Sequence, residues 1–267
     1  MSAGRSAWAG QGAVVTGASS GIGAAMARQL AVAGAAVTLT GRDSGRLASV
    51  AGDCRAAGAT VATVAGDITD GAMRERLVAE ALALHGGIDL LVNNAGVTMN
   101  ARFTELAPQV LRRIVEVDFF AAVELTRLAL PSLRGRRGRI LVISSVTGVV
   151  GPPTRTAYAA AKHALHGFFG ALRVELRVDG VGVTIVCPGY VDTPMRLHAV
   201  LADGREQGRD QAAGRRMLSA DAVAAAALRA AARGRRLVLL GRETRLARLM
   251  SIVAPALLDR ILAKSTR

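Results

Sequence analysis

Short apolar runs alternate with longer segments of helical periodicity along most of the chain. Such runs, with little polar alternation, are typical of strands buried on both faces of a parallel sheet. Seven runs are rich in Val, Ile and Leu: GAVVT (12–16), AAVTLT (35–40), TVATVA (60–65), DLLVNN (89–94), RILVISS (139–145), VGVTIVC (181–187) and RLVLL (236–240). Between them lie helix-length segments near 21–33, 44–57, 70–85, 105–133, 157–178 and 220–233.

This order predicts a single doubly wound α/β domain, with a seven-stranded parallel sheet and helices on both faces. No linker or internal repeat divides residues 1–240, which we assign to that domain, with a lid at about residues 193–218. Residues 241–267 are predicted to form a C-terminal amphipathic helical extension. Ligands of such sheets bind beyond the carboxyl ends of the strands, so motifs directly after strands are the candidates for chemistry.

Composition and the absence of certain motifs argue against a disulfide-rich, metal-binding, membrane-spanning or secreted protein. Hydrophobic residues make up 51% of the 267 residues and aromatic residues 3%, which predicts a core of Ala, Val and Leu. The spacing of Cys54 and Cys187 fits no disulfide framework, so we expect two thiols in a reducing compartment. The sequence has no CxxC or HExxH motif, and we expect no bound metal. It also lacks a membrane-spanning apolar run and a secretory signal, which favours a cytoplasmic protein.

The net charge of +14 has two interpretations. It could mark a polyanionic or membrane-surface partner, or arginine could simply be the habitual surface residue of this chain. All but two of the 34 basic residues are arginine, the exceptions being Lys162 and Lys264. No basic strand with interleaved aromatic residues and no recognition helix is present, so we expect no nucleic-acid partner.

The first predicted strand is followed by TGASSGIG, residues 16–23, which we call the glycine loop. Glycines at such positions permit a tight turn and close approach of the backbone to a pyrophosphate, and the next helix offers free N–H groups. The position after strand one favours a dinucleotide site over an ordinary glycine-rich turn. The predicted cofactor-binding residues here are Gly17, Ser19, Ser20, Gly21, Ile22 and Gly23.

The second and third strands indicate which dinucleotide binds. An NAD site places a carboxylate at the end of the second strand, where this chain has Gly41 followed by Arg42. An arginine suits the 2′-phosphate of NADP(H), which we therefore expect to be preferred over NAD(H). The alternative is an exposed arginine at a helix start. After strand three, Asp67 either bonds the adenine or caps the next helix, and Ile68 beside it is a further cofactor-binding candidate.

Tyr158 and Lys162 are the most informative pair in the sequence. Residues four apart share one helix face, so the two side chains project together. A nearby ammonium favours the phenolate form of a tyrosine, which makes the phenol useful as an acid and base. Lysine suits this task because its compact charge sits on a flexible stem, which the planar guanidinium of arginine does not reproduce.

The ordered motifs TGASSGIG, NNAG (93–96), Ser145, Tyr158-x-x-x-Lys162 and PGYVDT (188–193) resemble those of the short-chain dehydrogenase/reductase family over about residues 10–240. The thirteen-residue spacing to Tyr158 identifies Ser145, rather than Ser144, as the catalytic serine. The resemblance implies direct hydride transfer between a nicotinamide and a carbonyl or secondary alcohol. It also implies cofactor contacts by Asn94, Ala95, Gly96, Tyr158, Lys162, Pro188, Gly189, Val191 and Thr193.

One position departs from the family pattern. The family usually has an asparagine in the long helix after NNAG, where it orders a water that links the lysine to solvent. Here that position is Asp118, which accepts hydrogen bonds but has no amide donor. We expect a working relay through Asp118 and include it among the catalytic residues. The alternative is impaired catalysis.

The segments outside these motifs bear on the substrate and on the partners. HALHGFFGALRVEL, after Tyr158, resembles the subgroup of hydroxysteroid dehydrogenases and member 7 dehydrogenase/reductases, which implies a hydrophobic ketone or alcohol. A β-ketoacyl thioester reductase and a non-catalytic NADPH-binding regulatory protein are the alternatives. Family members commonly pair through the helices near 105–133 and 157–178, which carry Phe119, Phe120, Phe168 and Phe169, so a homodimer or homotetramer is expected. The tail either contacts an anionic membrane surface or packs on protein.

Overall fold

The computed structural model describes residues 6–208 and 217–264. Each strand of its main sheet lies within two residues of a predicted apolar run. The main strands are β1 (Gly12–Thr16), β2 (Ala36–Gly41), β3 (Val61–Ala65), β4 (Leu90–Asn93), β5 (Arg139–Ile143), β6 (Gly182–Pro188) and β9 (Leu237–Leu240). Two short strands, β7 (Val191–Asp192) and β8 (Leu218–Ser219), pair separately.

The sheet has the order β3-β2-β1-β4-β5-β6-β9, and every neighbouring pair is parallel. The chain moves outward from β1 to β3 and then returns to the other side of β1 with β4. This reversal leaves a crevice beyond the carboxyl ends of β1 and β4. The predicted doubly wound α/β fold with a seven-stranded parallel sheet is confirmed.

Helices cover both faces of the sheet. One core cluster packs α1 (Gly21–Val32), α2 (Ser44–Ala56) and α7 (Ala220–Ala232) against it. On the opposite face lie α3 (Gly71–His85), α5 (Ala121–Arg136) and α6 (Thr156–Glu175). Small residues and Val or Leu fill both clusters, which keeps the helices close to the strands.

The predicted helix at 105–133 differs from expectation in one respect. It begins as α4 (Pro108–Val115), passes through a π-helical turn at Glu116–Phe120, and continues as α5. A π turn inserts one residue into the helical repeat, and such turns occur often at functional sites. This one carries Asp118 near its centre.

The C-terminal extension forms two helices, α8 (Arg242–Val253) and α9 (Pro255–Lys264), separated at Ala254. Their inner face packs on the core through Ala247, Met250, Leu258 and Leu262. Their outer face remains exposed and is defined by Leu246, Leu249, Ile252, Val253, Leu257 and Ile261, which are 49% to 67% exposed. Among the described helices, none has both the length and the apolar character needed to cross a bilayer.

The basic run at 134–139 lies before β5, on the rim opposite the crevice. Arg134 forms an ion pair with Asp179 at 2.9 Å. Arg136 donates hydrogen bonds to the carbonyls of His85 and Gly86, at 3.4 and 2.9 Å, where α3 ends. Because these arginines satisfy local acceptors, this run favours the interpretation of arginine as a structural surface residue.

Candidate active site

A cleft of about 1470 Å³ follows the carboxyl edge of the sheet. Nearly every residue predicted to form the site lines it, including the glycine loop, the NNAG segment, Ser145, Tyr158 and Lys162. Gly23 and Asp118 are the predicted residues that do not line the cleft, and both contact residues that do. The fold therefore gathers motifs spread over more than 170 residues into one site.

The glycine loop has the backbone conformation expected of an anion-binding turn. Gly17 and Gly21 adopt positive φ angles of 64° and 55°, which favour glycine. A Cβ on Gly23 would lie 2.3 Å from the carbonyl oxygen of Gly17, so a side chain has no room there. Helix α1 begins at Gly21 and directs its free N–H groups toward the cleft. These residues fit the pyrophosphate of a dinucleotide.

Asn94 ties the glycine loop to the end of β4. Its side-chain amide donates to the carbonyls of Thr16 and Gly17, at 2.9 and 3.3 Å. The Thr16 hydroxyl accepts the backbone N–H groups of Asn94 and Ala95, each at 2.9 Å, and donates to Val92. Thr16 was not predicted as a site residue, although its place at the head of TGASSGIG is a usable signal.

Arg42 lies at the end of the cleft beside the glycine loop, with its side chain exposed. No carboxylate pairs with it among the described residues, whereas the nearby Arg46 pairs with Asp43 at 2.6 Å. A Cβ on Gly41 would lie 2.9 Å from the hydroxyl oxygen of Ser19. An acidic side chain at position 41 would therefore require Ser19 to move.

Asp67 lines the cleft and is held by neighbours on two sides. Its carboxylate accepts the backbone N–H and the hydroxyl of Thr69, at 3.0 and 2.8 Å, and forms an ion pair with Arg113. Partial burial alone raises the pKa of Asp67, but these hydrogen bonds and Arg113 outweigh it and lower the pKa. The cap of α3 is Asp70, whose carboxylate accepts the N–H of Ala72 at 3.0 Å. The alternative role of Asp67 as helix cap is therefore wrong.

Tyr158 and Lys162 lie on one face of α6, and each is less than 10% exposed. The Lys162 Nζ lies 5.5 Å from the centroid of the Tyr158 ring and donates to the carbonyl of Ile143 at 3.3 Å. Ser145 lies just beyond β5 in the same cleft, and its hydroxyl accepts the N–H of Thr147 at 3.2 Å.

Asp118 forms a buried ion pair with Lys162. Its Oδ2 lies 3.1 Å from Nζ, and its Oδ1 accepts the N–H of Val97 at 2.7 Å. Burial raises the pKa of Asp118, and Lys162 opposes that shift. Burial also lowers the pKa of Lys162, but Asp118 and Tyr158 outweigh it and raise that pKa. Because both carboxylate oxygens face donors, we assign the charged form to both partners.

A polar cluster of Ser144, His166 and Cys187 lies beside Ser145. The Ser144 hydroxyl lies 3.0 Å from Nε2 of His166, and Cys187 Sγ lies 3.4 Å from the same nitrogen. Burial lowers the pKa of His166 to about 4 and raises the pKa of Cys187 to about 12, so both are neutral at pH 7. A neutral imidazole that joins these side chains positions the backbone around Ser145 without adding charge.

The loop at 188–193 receives support that the sequence did not reveal. Its Gly189 N–H donates to the carbonyl of Leu240 at 3.2 Å. A Cβ on Gly189 would lie 3.0 Å from the hydroxyl oxygen of Thr244, a fully buried residue of α8. Across the cleft, Thr193 approaches the glycine loop, since a Cβ on Gly21 would lie 3.0 Å from its methyl group. The C-terminal extension therefore supports one wall of the site.

The described part of the predicted lid packs over the NNAG side of the cleft. Val200 donates its N–H to the carbonyl of Thr98 and accepts the N–H of Asn100, both at 2.8 Å. The Asn100 side chain donates to Gln207 at 2.9 Å. Residues 209–216 of the predicted lid lie outside the described residues.

The fold and this cleft define a Rossmann-like nucleotide-binding protein with a serine, a tyrosine and a lysine at the substrate end. The family model of the short chain dehydrogenases matches residues 11–202. The chain belongs to this family, whose members are oxidoreductases that use a nicotinamide cofactor. The resemblance stated from the sequence motifs is thus confirmed.

Individual relatives show how far the similarity extends. The chain is 39% identical over 147 residues to the bovine (Bos taurus) dehydrogenase/reductase SDR family member 7B, an alignment that covers 55% of this chain but 45% of that protein. It is 36% identical to an SDR family protein 7-like from Anopheles gambiae, over 86% of this chain and 75% of the relative. It is 33% identical to D-beta-hydroxybutyrate dehydrogenase of Cupriavidus necator, over 74% and 78%.

Proposed function

We propose that this protein is an NADP(H)-dependent oxidoreductase that transfers hydride between nicotinamide and a carbonyl or secondary alcohol. The observation that carries the proposal is the convergence of Ser145, Tyr158 and Lys162 on the cleft that the glycine loop opens. A non-catalytic NADPH-binding role, the alternative from another class, leaves this buried arrangement of Tyr158 and Lys162 without a purpose.

When bound, the nicotinamide supplies or accepts the hydride. Tyr158 donates a proton to the carbonyl oxygen in the reductive direction and withdraws it in the oxidative direction. The Ser145 hydroxyl bonds the same oxygen and stabilises its developing charge. Lys162 stabilises the Tyr158 phenolate by its charge and orients the cofactor. Asp118 keeps Lys162 charged and offers an acceptor for a water in a proton relay.

The NADP(H) preference rests on Arg42. Its guanidinium lies where the second strand ends, pairs with no described carboxylate, and presents the fork geometry that suits a phosphate. The crowding of position 41 by Ser19 works against the carboxylate of an NAD site. Asp67 and Ile68 would line the adenine, and Asn94, Ala95 and Gly96 the ribose beside it. Pro188, Gly189, Val191 and Thr193 would hold the carboxamide.

The substrate that we propose is an apolar ketone or secondary alcohol. Apolar side chains line the substrate end of the cleft, among them Val110, Ile114, Met195 and Val200. The named substrate of the Cupriavidus necator relative is a small hydroxy compound, which supports chemistry at a CH–OH carbon. A β-ketoacyl thioester remains the second choice, because its anionic carrier suits the basic surface of this chain.

Association with a second copy and with a membrane surface are further parts of the proposal. Phe120 is 45% exposed, and its ring is the outermost of a row that runs through Phe119 and Phe168 to the buried Phe169. Burial of Phe120 in a homodimer or homotetramer would remove this exposed apolar surface. The outer face of α8 and α9, with its neighbouring arginines, would give peripheral contact with anionic lipid. The cytoplasmic location stays a prediction.

An absorbance assay with a panel of ketones and alcohols tests the proposal, with NADPH and NADH in parallel. We expect NADPH-dependent turnover that Tyr158→Phe lowers at least about 100-fold, the lower end of what general acid–base catalysis contributes. Fluorescence titration should show that Tyr158→Phe still binds NADPH. No turnover with any carbonyl or alcohol would contradict the proposed activity, whereas nearly full activity of Tyr158→Phe would move the acid–base role elsewhere.

A further inference from the structure

The charges that line the cleft are almost all paired. Each acidic residue of the lining has a basic partner, and most of the basic residues have an acidic one. The pairs are Arg46–Asp43, Arg113–Asp67, Lys162–Asp118, Arg196–Asp192, His198–Glu206 and Arg205–Asp203. Within residues 6–208 and 217–264, two lining cations have no carboxylate partner: Arg42, at the glycine-loop end, and Arg155, at the substrate end.

Arg155 is built into the substrate end of the cleft. It stands directly before α6, three residues from Tyr158, and its Nη1 donates to the hydroxyl of Thr98 at 3.2 Å. Thr98 follows the NNAG segment, so this bond holds the guanidinium between that segment and α6. A guanidinium has five N–H donors. Among the described residues, Thr98 is the one acceptor of a hydrogen bond from Arg155, so a single donor is used.

The surroundings of Arg155 make an unpaired charge costly. Burial lowers the pKa of its guanidinium, and Tyr158 and Tyr190 act in the opposite sense. The residue before it, Thr154, has a φ of 63°, a conformation that non-glycine residues rarely adopt. Strained backbone and an unpaired, partly buried cation are both unfavourable for folding, and both are common where a ligand is bound.

We propose that Arg155 binds a carboxylate of the substrate, so that the reacting compound is an oxo acid or hydroxy acid with an apolar remainder. This inference rests on the proposed function and adds a carboxylate to the apolar ketone or alcohol proposed there as the substrate. The carboxylate would meet the free edge of the guanidinium while the carbonyl oxygen meets Tyr158 and Ser145. An oxo acid bound by Arg155 at its carboxylate and by Tyr158 and Ser145 at its carbonyl would have the carbonyl carbon oriented. A simple ketone would be bound at its carbonyl alone.

Matched pairs of an oxo acid and its methyl ester test this assignment, because the ester keeps the carbonyl and loses the charge. We would compare acetoacetate with methyl acetoacetate and levulinate with methyl levulinate in the NADPH absorbance assay. Loss of a charge-assisted, two-pronged contact corresponds to about a 10- to 100-fold change in kcat/KM. We expect the acids to be preferred by that factor, and Arg155→Gln to remove the preference while changing the esters less than about threefold.

Two variants keep the comparison interpretable. Arg102→Gln removes an exposed arginine of the neighbouring loop and should leave the acid preference intact. Arg155→Lys keeps the charge but not the fork, and should retain part of the preference. Thermal unfolding of each variant shows whether it is folded. Equal use of acid and ester by the unmodified protein, or an acid preference that survives in Arg155→Gln, would overturn the inference.

A binding measurement separates this inference from the proposed function. Butanoate carries the carboxylate without a reactive carbonyl, and butanamide is its neutral counterpart. Calorimetric titration should show butanoate binding that butanamide lacks and that Arg155→Gln abolishes. If no carbonyl is reduced but butanoate binds through Arg155, the proposed function fails and the carboxylate site stands. If ketones are reduced but butanoate does not bind, the carboxylate site fails alone.

Discussion

Replacing Asp118 with asparagine removes the negative charge from the buried ion pair and changes little else. The asparagine oxygen can still accept the N–H of Val97, which donates across 2.7 Å, so we expect the variant to fold. Lys162 would remain buried without its counter-charge. Its pKa would then fall below the ordinary value of 10.5, because burial lowers it and Asp118 is the first of the groups that raise it.

The cost of this change has a ceiling, because Lys162 can escape an unpaired buried charge by losing its proton. That loss requires about 1.4 kcal/mol per pH unit below the ordinary lysine pKa, or about 4 kcal/mol near pH 7.5 and about 1.4 kcal/mol near pH 9.5. In the unmodified protein, the raised pKa of Lys162 contributes stability below pH 10.5 that disappears as the pH rises through the raised value. The difference in unfolding free energy between the two proteins should therefore shrink from neutral toward alkaline pH.

Urea unfolding at several pH values between about 7.5 and 9.5 measures this dependence. In a Lys162→Met background, Asp118→Asn should be neutral or stabilising, since it then removes an unpaired carboxylate. A stability deficit that does not change with pH would show that packing, and not charge, is lost. For turnover, Asp118→Asn should match or exceed the unmodified enzyme at pH values below the lowered pKa of Lys162, because the ammonium that persists there stabilises the Tyr158 phenolate without competition from a carboxylate. A large loss of turnover in the folded variant would show that the carboxylate itself is required.

Three further predictions concern the cofactor, the assembly and the tail. Arg42→Ala should weaken NADPH binding about 10- to 100-fold and NADH binding little. Replacement of the exposed Arg28 with alanine is the control. Equal affinity of the unmodified protein for both cofactors would contradict the assignment of NADP(H). Light scattering at micromolar concentration should give at least two chains per particle, and Phe120→Asp should lower that number; a monomer would refute the pairing. Anionic vesicles should retain the protein at low salt, and both high salt and deletion of residues 242–267 should release it, whereas no binding at low salt would leave the tail as a packing element.

The features that the sequence predicted well are those with local causes. A strand buried on both faces is a continuous apolar run, so the seven strands could be placed within two residues. The glycine loop and the Tyr158–Lys162 pair depend on backbone conformation and helical spacing, which short motifs encode. The convergence of these motifs follows from the topology, because the carboxyl ends of parallel strands meet at one edge.

The features that the sequence did not predict depend on contacts between distant segments. The π turn at Asp118 adds a residue to a helical repeat, and the hydrophobic pattern does not register it. Asp67 precedes a helix, as a cap would, yet Asp70 three residues later is the cap. Thr244 lies in a tail that carries no family motif, and its contact with Gly189 arises from the way α8 packs.

The distribution of charge explains why a total of +14 could not be interpreted from the sequence alone. A net charge counts a cation that holds a carbonyl, such as Arg136, in the same way as one that faces an open cleft. In the folded chain, most of the cations that line the cleft have a carboxylate partner. Arg42 and Arg155 are the two that have none among the described residues. These two lie at opposite ends of one cleft, with Lys162 between them neutralised by Asp118. This arrangement supports the two proposals together, because a phosphorylated cofactor and a carboxylic acid substrate would supply one anionic group at each end of the cleft.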